Sequence, residues 1–256
     1  MKIEDIKTIG VMGAGVMGGG ISQTAILAGY NVICRDLTDE ILAKAKDAMI
    51  NGRFGLKGGV ERGKHTQQQV DEALARLTLT TKVEDLKDCD FVIEAIGGGP
   101  GQLENKPMKI KVFGELDKIA KKEAIFASNT SYFTIADLAA ATERKDRFLG
   151  VHWFSPANIM KLAEVIYTPD VKEEVIQVVE ELCKRLGKTS VRVKDMPGDL
   201  GHIANRIFYR GVAAEARKVV EEGVASPQDV DTAMKLGFNW PAGPFELGAG
   251  ARSGWG

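Results

Sequence analysis

Over roughly its first three quarters the chain alternates two apolar patterns. Short continuous runs such as TIGVM, NVIC, DFVIEAI, AIFA, FLGVHWF, KLAEVIY and SVRVK are separated by longer stretches with apolar positions at helical spacing. Runs of that length between turn residues predict buried strands, and the longer stretches predict helices. Strand and helix alternating in this way predict an α/β fold built on a doubly wound, mostly parallel sheet. Thr38 caps a helix after the second strand, and the five glycines from Gly52 to Gly63 break it or form a loop. Thr66 then caps a second helix running through Leu77. Further helices are expected over Glu104–Lys122, Ile135–Ala141 and Lys172–Leu186. At about Pro197 the strand pattern stops. The chain divides here into residues 1–196, an α/β domain, and 197–256, a small all-α domain. In the latter Ser226 is an N-cap, Pro227 a first helical residue, and Gly223 and Gly237 are C-caps. The final GAGARSGWG has no helical periodicity.

The first strand–turn–helix unit narrows the picture. Gly13, Gly15 and Gly18 have the spacing G-x-G-x-x-G between a strand and a helix, and Asp36 ends the next strand about 20 residues on. Gly13 makes the turn, Gly15 admits a pyrophosphate, and Gly18 lets the helix pack on the strand. The free N–H groups at the helix start, around Val16 and Met17, favour phosphate. A carboxylate at Asp36 suits the adenosine ribose hydroxyls and repels a 2′-phosphate, so NAD is expected rather than NADP. The alternative is a structural turn in another α/β protein.

Composition removes other classes. The 34 basic and 35 acidic residues nearly cancel, so no nucleic-acid or anionic-membrane footprint appears, and no run reaches transmembrane length. Cys34, Cys89 and Cys183 lack metal-ligand spacing and read as reduced core residues of a soluble, cytoplasmic protein. With only His65, His152 and His202, a histidine metal site is not expected.

Candidate chemistry collects where predicted strands end, the ligand edge of an open α/β sheet. GGGPG, Gly97 to Gly101, is either part of that edge or a flexible connection. Ser128, Asn129 and Ser131 follow the strand AIFA. His152 lies in GVHWFSP, and Glu164 in MKLAEV twelve residues later. A neutral imidazole can take an alcohol proton as hydride leaves, and a carboxylate on its other nitrogen fixes the tautomer. Spacing alone leaves His152 equally readable as a core histidine, Ser128 and Ser131 as helix caps, and Asn205 as a surface residue. Glu164 is more telling, because an acid in an apolar strand needs a partner.

Taken together, GAGVMGGGISQTAILAGYNVICRD, ASNTS, HWFSP with MKLAEV, KDMPG with NRI, and DTAMKLG with GPFEL resemble the NAD-dependent 3-hydroxyacyl-CoA dehydrogenase family, collinearly from about Lys7 to Leu247. The resemblance implies a Rossmann-type domain with an inserted helical hairpin at about 38–77, then a helical domain that forms a homodimer. It implies reversible oxidation of a 3-hydroxyacyl-CoA, with His152 as general base and Glu164 orienting it. Ser131 and Asn205 would hold substrate oxygens; Glu104, Lys109, and Ser128 or Asn129 would lie beside the cofactor. Arg62 would meet the CoA phosphates, while Gly55 stands where the family has a serine. Further departures are Ser155 in place of an asparagine, about three extra residues in PGDLGHIANR, and a C-terminal domain shorter than the family's. Two other readings stay open: a hydroxyacid dehydrogenase for a non-CoA substrate, and a catalytically silent dinucleotide-binding scaffold.

Overall fold

The computed structural model describes residues 1–97 and 104–253, with side chains up to residue 249. Of the GGGPG stretch, only Gly97 lies within the described residues. The chain divides into two compact units, Met1–Asp199 and Leu200–Gly256.

In the first unit, strands β1 (Thr8–Met12), β2 (Asn31–Arg35), β3 (Leu77–Thr80), β4 (Phe91–Glu94), β5 (Ile125–Ser128), β6 (Phe148–Trp153), β7 (Leu162–Tyr167) and β8 (Thr189–Lys194) form one sheet. Their order is β3-β2-β1-β4-β5-β6-β7-β8. The order reverses between β1 and β4, which places the ligand crevice beside those two strands. All pairs are parallel except β6–β7, which is antiparallel. A short return after Trp153 suffices there, because no crossover helix is needed.

Helices cover both faces. α1 (Val16–Leu27), α2 (Asp39–Asn51), α4 (Gln67–Leu74) and α7 (Glu173–Arg185) pack on a core that includes Ile9, Val11, Ile93, Val151 and Trp153. α5 (Lys106–Ile119) and α6 (Ile135–Ala139) cover the other face, where Phe113, Phe126 and Phe148 meet edge to face or tilted. Because successive strand residues face opposite sides, Glu94, Ser128, His152 and Glu164 all fall on the α5/α6 side.

The expected caps are present. The Thr38 hydroxyl accepts from Ile41 N, and Thr66 forms a reciprocal capping box with Gln69. Several expected bounds move. The helix after Thr66 stops at Leu74, and Leu77 begins β3, where it registers with Val32. Between α2 and α4 the glycine-rich stretch still forms one helical turn and a half, α3 (Leu56–Glu61), so the insertion has three helices rather than two. α5 starts at Lys106, capped by the Asn105 side chain, which leaves Glu104 outside the helix.

The second unit contains α8 (Ile203–Ile207), a π-helical turn (Phe208–Val212), α9 (Ala213–Glu221), α10 (Pro227–Phe238) and α11 (Pro244–Ser253). Ser226 caps α10 as expected, and Gly223 is left-handed at φ 72° after α9. Gly237, expected as a C-cap, is inside α10; Asn239 takes the left-handed position instead, at φ 57°. GAGARS is helical despite its composition. α11 is nucleated upstream, where both Asp231 carboxylate oxygens accept from Phe245 N (2.8 Å) and Glu246 N (3.1 Å).

One buried cation ties the segment after β6 in place. Lys188 donates to Ala157 O (2.5 Å) and Met160 O (2.6 Å), with its ammonium 4.7 Å from the Trp153 ring centre. Burial, helped by Lys161, pushes its pKa down to about 8. An unfolded lysine titrates at about 10.4, so between these values the unfolded chain binds more protons and stability rises with pH. Unfolding measured across that window is expected to show an increment in the wild type that Lys188→Met lacks. Identical slopes in the two proteins would contradict the assignment.

Candidate active site

The glycine turn leaves β1 at Gly13, whose φ of 101° is strained for any residue with a side chain. A Cβ there would also lie 2.8 Å from Ala95 O, so the turn rests directly on the end of β4. A Cβ at Gly18 would run into Gly13 O. At Gly15 it would project into open space over the start of α1. Gly15 is the N-cap of this twelve-residue helix and supplies no capping side chain, and Gly15 and Val16 are exposed. The leading N–H groups of a helix have no partner inside it. An open cradle bounded by uncapped amides fits a pyrophosphate, with Met17 and Gly18 continuing the first turn.

Asp36 closes the far side. Its Oδ2 accepts from Ala14 N and its Oδ1 from Leu37 N, both at 2.6 Å, so its carboxylate is fixed against the glycine turn. Each oxygen keeps a lone pair for a ribose hydroxyl. Arg35 donates to Thr81 O at 3.2 Å.

The catalytic candidates come from the antiparallel pair. His152 and Glu164 are direct register partners on β6 and β7. Both are buried, 4% and 0% exposed, and Nδ1 lies 2.7 Å from Glu164 Oε2. A carboxylate only accepts, so Nδ1 donates and Nε2 carries the lone pair of the neutral ring. Neighbouring Asn129 braces this strand end by accepting from Trp153 N at 2.8 Å.

Two strands from His152, at the same edge of the sheet, stands an acid that the strand pattern did not single out. Glu94 ends β4, is 0% exposed, and registers with Ser128 on β5. Its carboxylate accepts from Ser128 Oγ (2.7 Å), Ile96 N (2.5 Å) and Lys109 Nζ (2.6 Å). Lys109 also donates to Ile96 O at 3.0 Å and lies 3.4 Å from Glu104 Oε2. Glu104 Oε1 in turn accepts from Ser131 N (2.7 Å) and Oγ (2.5 Å). Burial opposes the charge on Glu104, but Lys109 and the Ser131 bonds outweigh it and hold its pKa below the ordinary carboxylate value. Lys109 lies beneath Glu104 with only 2% of its surface exposed. The same signal that singled out Glu164, an acid in an apolar strand, was present in FVIE.

The structure thus brings Glu94, Glu104, Lys109, Ser128 and Ser131 into one network in the first unit. Arg62 is exposed, its guanidinium lying over Gly58 at the end of α3. Asn205 sits half-buried in α8, within the second unit. The three cysteines are buried and free, their thiols pushed up by burial to about 11 (Cys34) and about 12 (Cys89 and Cys183). Among the described residues no helix is long and apolar enough to cross a membrane.

A dinucleotide cradle on one side of a topological switch point and an imidazole–carboxylate couple on the other define a nucleotide-dependent dehydrogenase of Rossmann type. Sequence similarity carries the assignment further. The model described as "3-hydroxyacyl-CoA dehydrogenase, NAD binding domain" matches residues 8–196, and "3-hydroxyacyl-CoA dehydrogenase, C-terminal domain" matches 201–251; the chain belongs to this family and is an NAD-dependent oxidoreductase. It is 41% identical over 245 residues to the mitochondrial hydroxyacyl-coenzyme A dehydrogenase of Rattus norvegicus, covering 94% of this chain and 75% of the rat protein. It is 40% identical over 238 residues to a probable 3-hydroxybutyryl-CoA dehydrogenase of Deinococcus radiodurans, covering 93% and 81%. The crystal structure of (S)-3-hydroxybutyryl-CoA dehydrogenase from Ralstonia eutropha superposes with a TM-score of 0.83 at 38% identity, covering 93% of this chain and 80% of that one.

The close approach at Gly18 gives a direct check. In Gly18→Ala the added methyl must displace Gly13 or α1, a strain of about 1–3 kcal/mol. Denaturant unfolding should show that loss, and calorimetry should show NAD binding at least about tenfold weaker. Wild-type stability with wild-type NAD affinity would contradict the turn geometry.

Proposed function

We propose that the protein catalyses reversible oxidation of the 3-hydroxyl of a 3-hydroxyacyl-CoA to the 3-keto form, with His152 as general base. The observation that carries this reading is the buried 2.7 Å contact between His152 Nδ1 and Glu164 Oε2 at the ligand edge of the sheet. NAD, when bound, supplies the acceptor for the C3 hydride. His152 Nε2 takes the hydroxyl proton in oxidation and returns it in reduction. Glu164 holds the ring in the tautomer that makes this transfer possible and stabilises the imidazolium that forms. Since the pair is removed from water, its attraction is stronger than at the surface, and the imidazolium is stabilised where it is generated.

In this reading residues 1–196 bind the cofactor and 197–256 form the helical domain. Gly13, Gly15, Val16, Met17 and Gly18 hold the pyrophosphate, and Asp36 holds the adenosine ribose. Ser128, Asn129, Glu104 and Lys109 shape the nicotinamide side, and Ser131 positions a substrate oxygen. Arg62, exposed on the insertion, provides charge for a CoA phosphate. The helical unit exposes Ile207, Tyr209, Leu236 and Phe238, which suits burial against a second copy, and we take the enzyme to be a homodimer. Three reduced, buried thiols suit an intracellular site, for which we propose the cytoplasm.

The test is NADH formation from 3-hydroxybutyryl-CoA, followed by absorbance. The wild type should turn over, and His152→Gln and Glu164→Gln should each lower kcat by about 10²–10⁴-fold while leaving NAD affinity within about twofold. Turnover of His152→Gln at the wild-type rate would remove the base from the mechanism. Activity on free 3-hydroxy acids alone would replace the CoA ester as substrate, and NAD binding without any turnover would favour a silent scaffold.

A further inference from the structure

The buried network at the ends of β4 and β5 has a charge imbalance. Two carboxylates, Glu94 and Glu104, share one ammonium, Lys109, which leaves the cluster a formal charge of −1. A buried excess charge is costly unless something offsets it. Glu94 has its donors from Ser128, Ile96 and Lys109. Glu104 carries the remainder: its Oε1 accepts from Ser131, and its buried Oε2 lies 3.4 Å from Lys109 Nζ.

The position of this excess charge follows from the topology. The glycine turn abuts Ala95 and Ile96 at the end of β4, so the network begins where the pyrophosphate cradle ends. A dinucleotide bound across the switch point has its adenosine half over β1 and β2, beside Asp36. Its other half then lies over β4 and β5. That half changes charge in the reaction, since the nicotinamide ring is cationic when oxidised and neutral when reduced.

We propose that the Glu94–Lys109–Glu104 cluster is a redox-state selector, its net negative charge stabilising the oxidised nicotinamide relative to the reduced one. Glu104 is the discriminating residue. Glu94 and Lys109 are positioning residues that hold it, acting from beneath. The inference rests on the reading of this edge as the cofactor site, and it adds a consequence that cofactor contact alone does not contain. A neutral hydrogen-bonding site would bind both redox forms through the same contacts, whereas a charge in a low-dielectric site separates them.

The test uses binding, without substrate. NAD⁺ and NADH are titrated separately into wild type, Glu104→Gln and Glu104→Asp by calorimetry, with circular dichroism confirming that each variant is folded. Glu104→Gln should raise the ratio Kd(NAD⁺)/Kd(NADH) about tenfold. Glu104→Asp, which keeps the charge on a shorter stem, should leave the ratio within about twofold of wild type. An unchanged ratio in Glu104→Gln overturns the proposal while leaving the cofactor site intact. An equal shift in both variants also overturns it, because contact rather than charge would then be responsible. Absence of binding of either form to the wild type would overturn the cofactor-site reading itself, and this proposal with it.

Discussion

A carboxylate with no exposure to water must be paired, and Glu164 is paired with His152 because β7 runs antiparallel to β6. Direct register opposition brings two residues twelve positions apart to a single 2.7 Å contact. A parallel β7 would place the acid at the opposite end of its strand, out of reach of the imidazole. A buried carboxylate is costly without a partner, so this contact constrains the strand direction as well as the chemistry. The ring's tautomer follows from the same contact, and with it the atom that can act as base.

Around that couple the sheet presents a consistent face. Alternation along β4, β5 and β6 sends Glu94, Ser128 and His152 to the same side, while their apolar neighbours Ile93, Ala127 and Val151 enter the opposite core. The polar edge is therefore a continuation of the pleat that fills both cores, and no separate scaffold is needed to align it. The helices reinforce the arrangement from above: Lys109, on the same buried side of α5 as Phe113 and Leu116, reaches down to Glu94. Asn129 and Lys188 then fix the strand end and the segment after it, one through Trp153 N and the other through Ala157 O and Met160 O.

What the sequence made legible was local or periodic. The glycine spacing, the carboxylate at Asp36, and the caps at Thr38, Thr66 and Ser226 depend on a few neighbouring residues. Each acts as read. What escaped depends on pairing between distant segments. Leu77 looks helical next to Val70 and Leu74, but β2 claims it for the sheet. GAGARS has a poor helical composition, yet Asp231, from another helix, starts α11. Gly237 has the residue type of a C-cap, but Asn239 occupies the left-handed position two residues later. Lys109 is held by Glu94, fifteen positions away at the end of β4, a pairing between distant segments that local pattern does not reveal.

For Nε2 of His152 to be the base we propose, Glu164 must hold the neutral ring with its proton on Nδ1. Nitrogen-15 NMR of the imidazole rings reads this tautomer directly, and with only three histidines in the chain the assignment is tractable through a His152→Gln sample. The neutral ring of the wild type is expected to carry a protonated Nδ1 and an unprotonated Nε2 at His152, with that preference lost in Glu164→Gln. A proton resident on Nε2 in the wild type would contradict it.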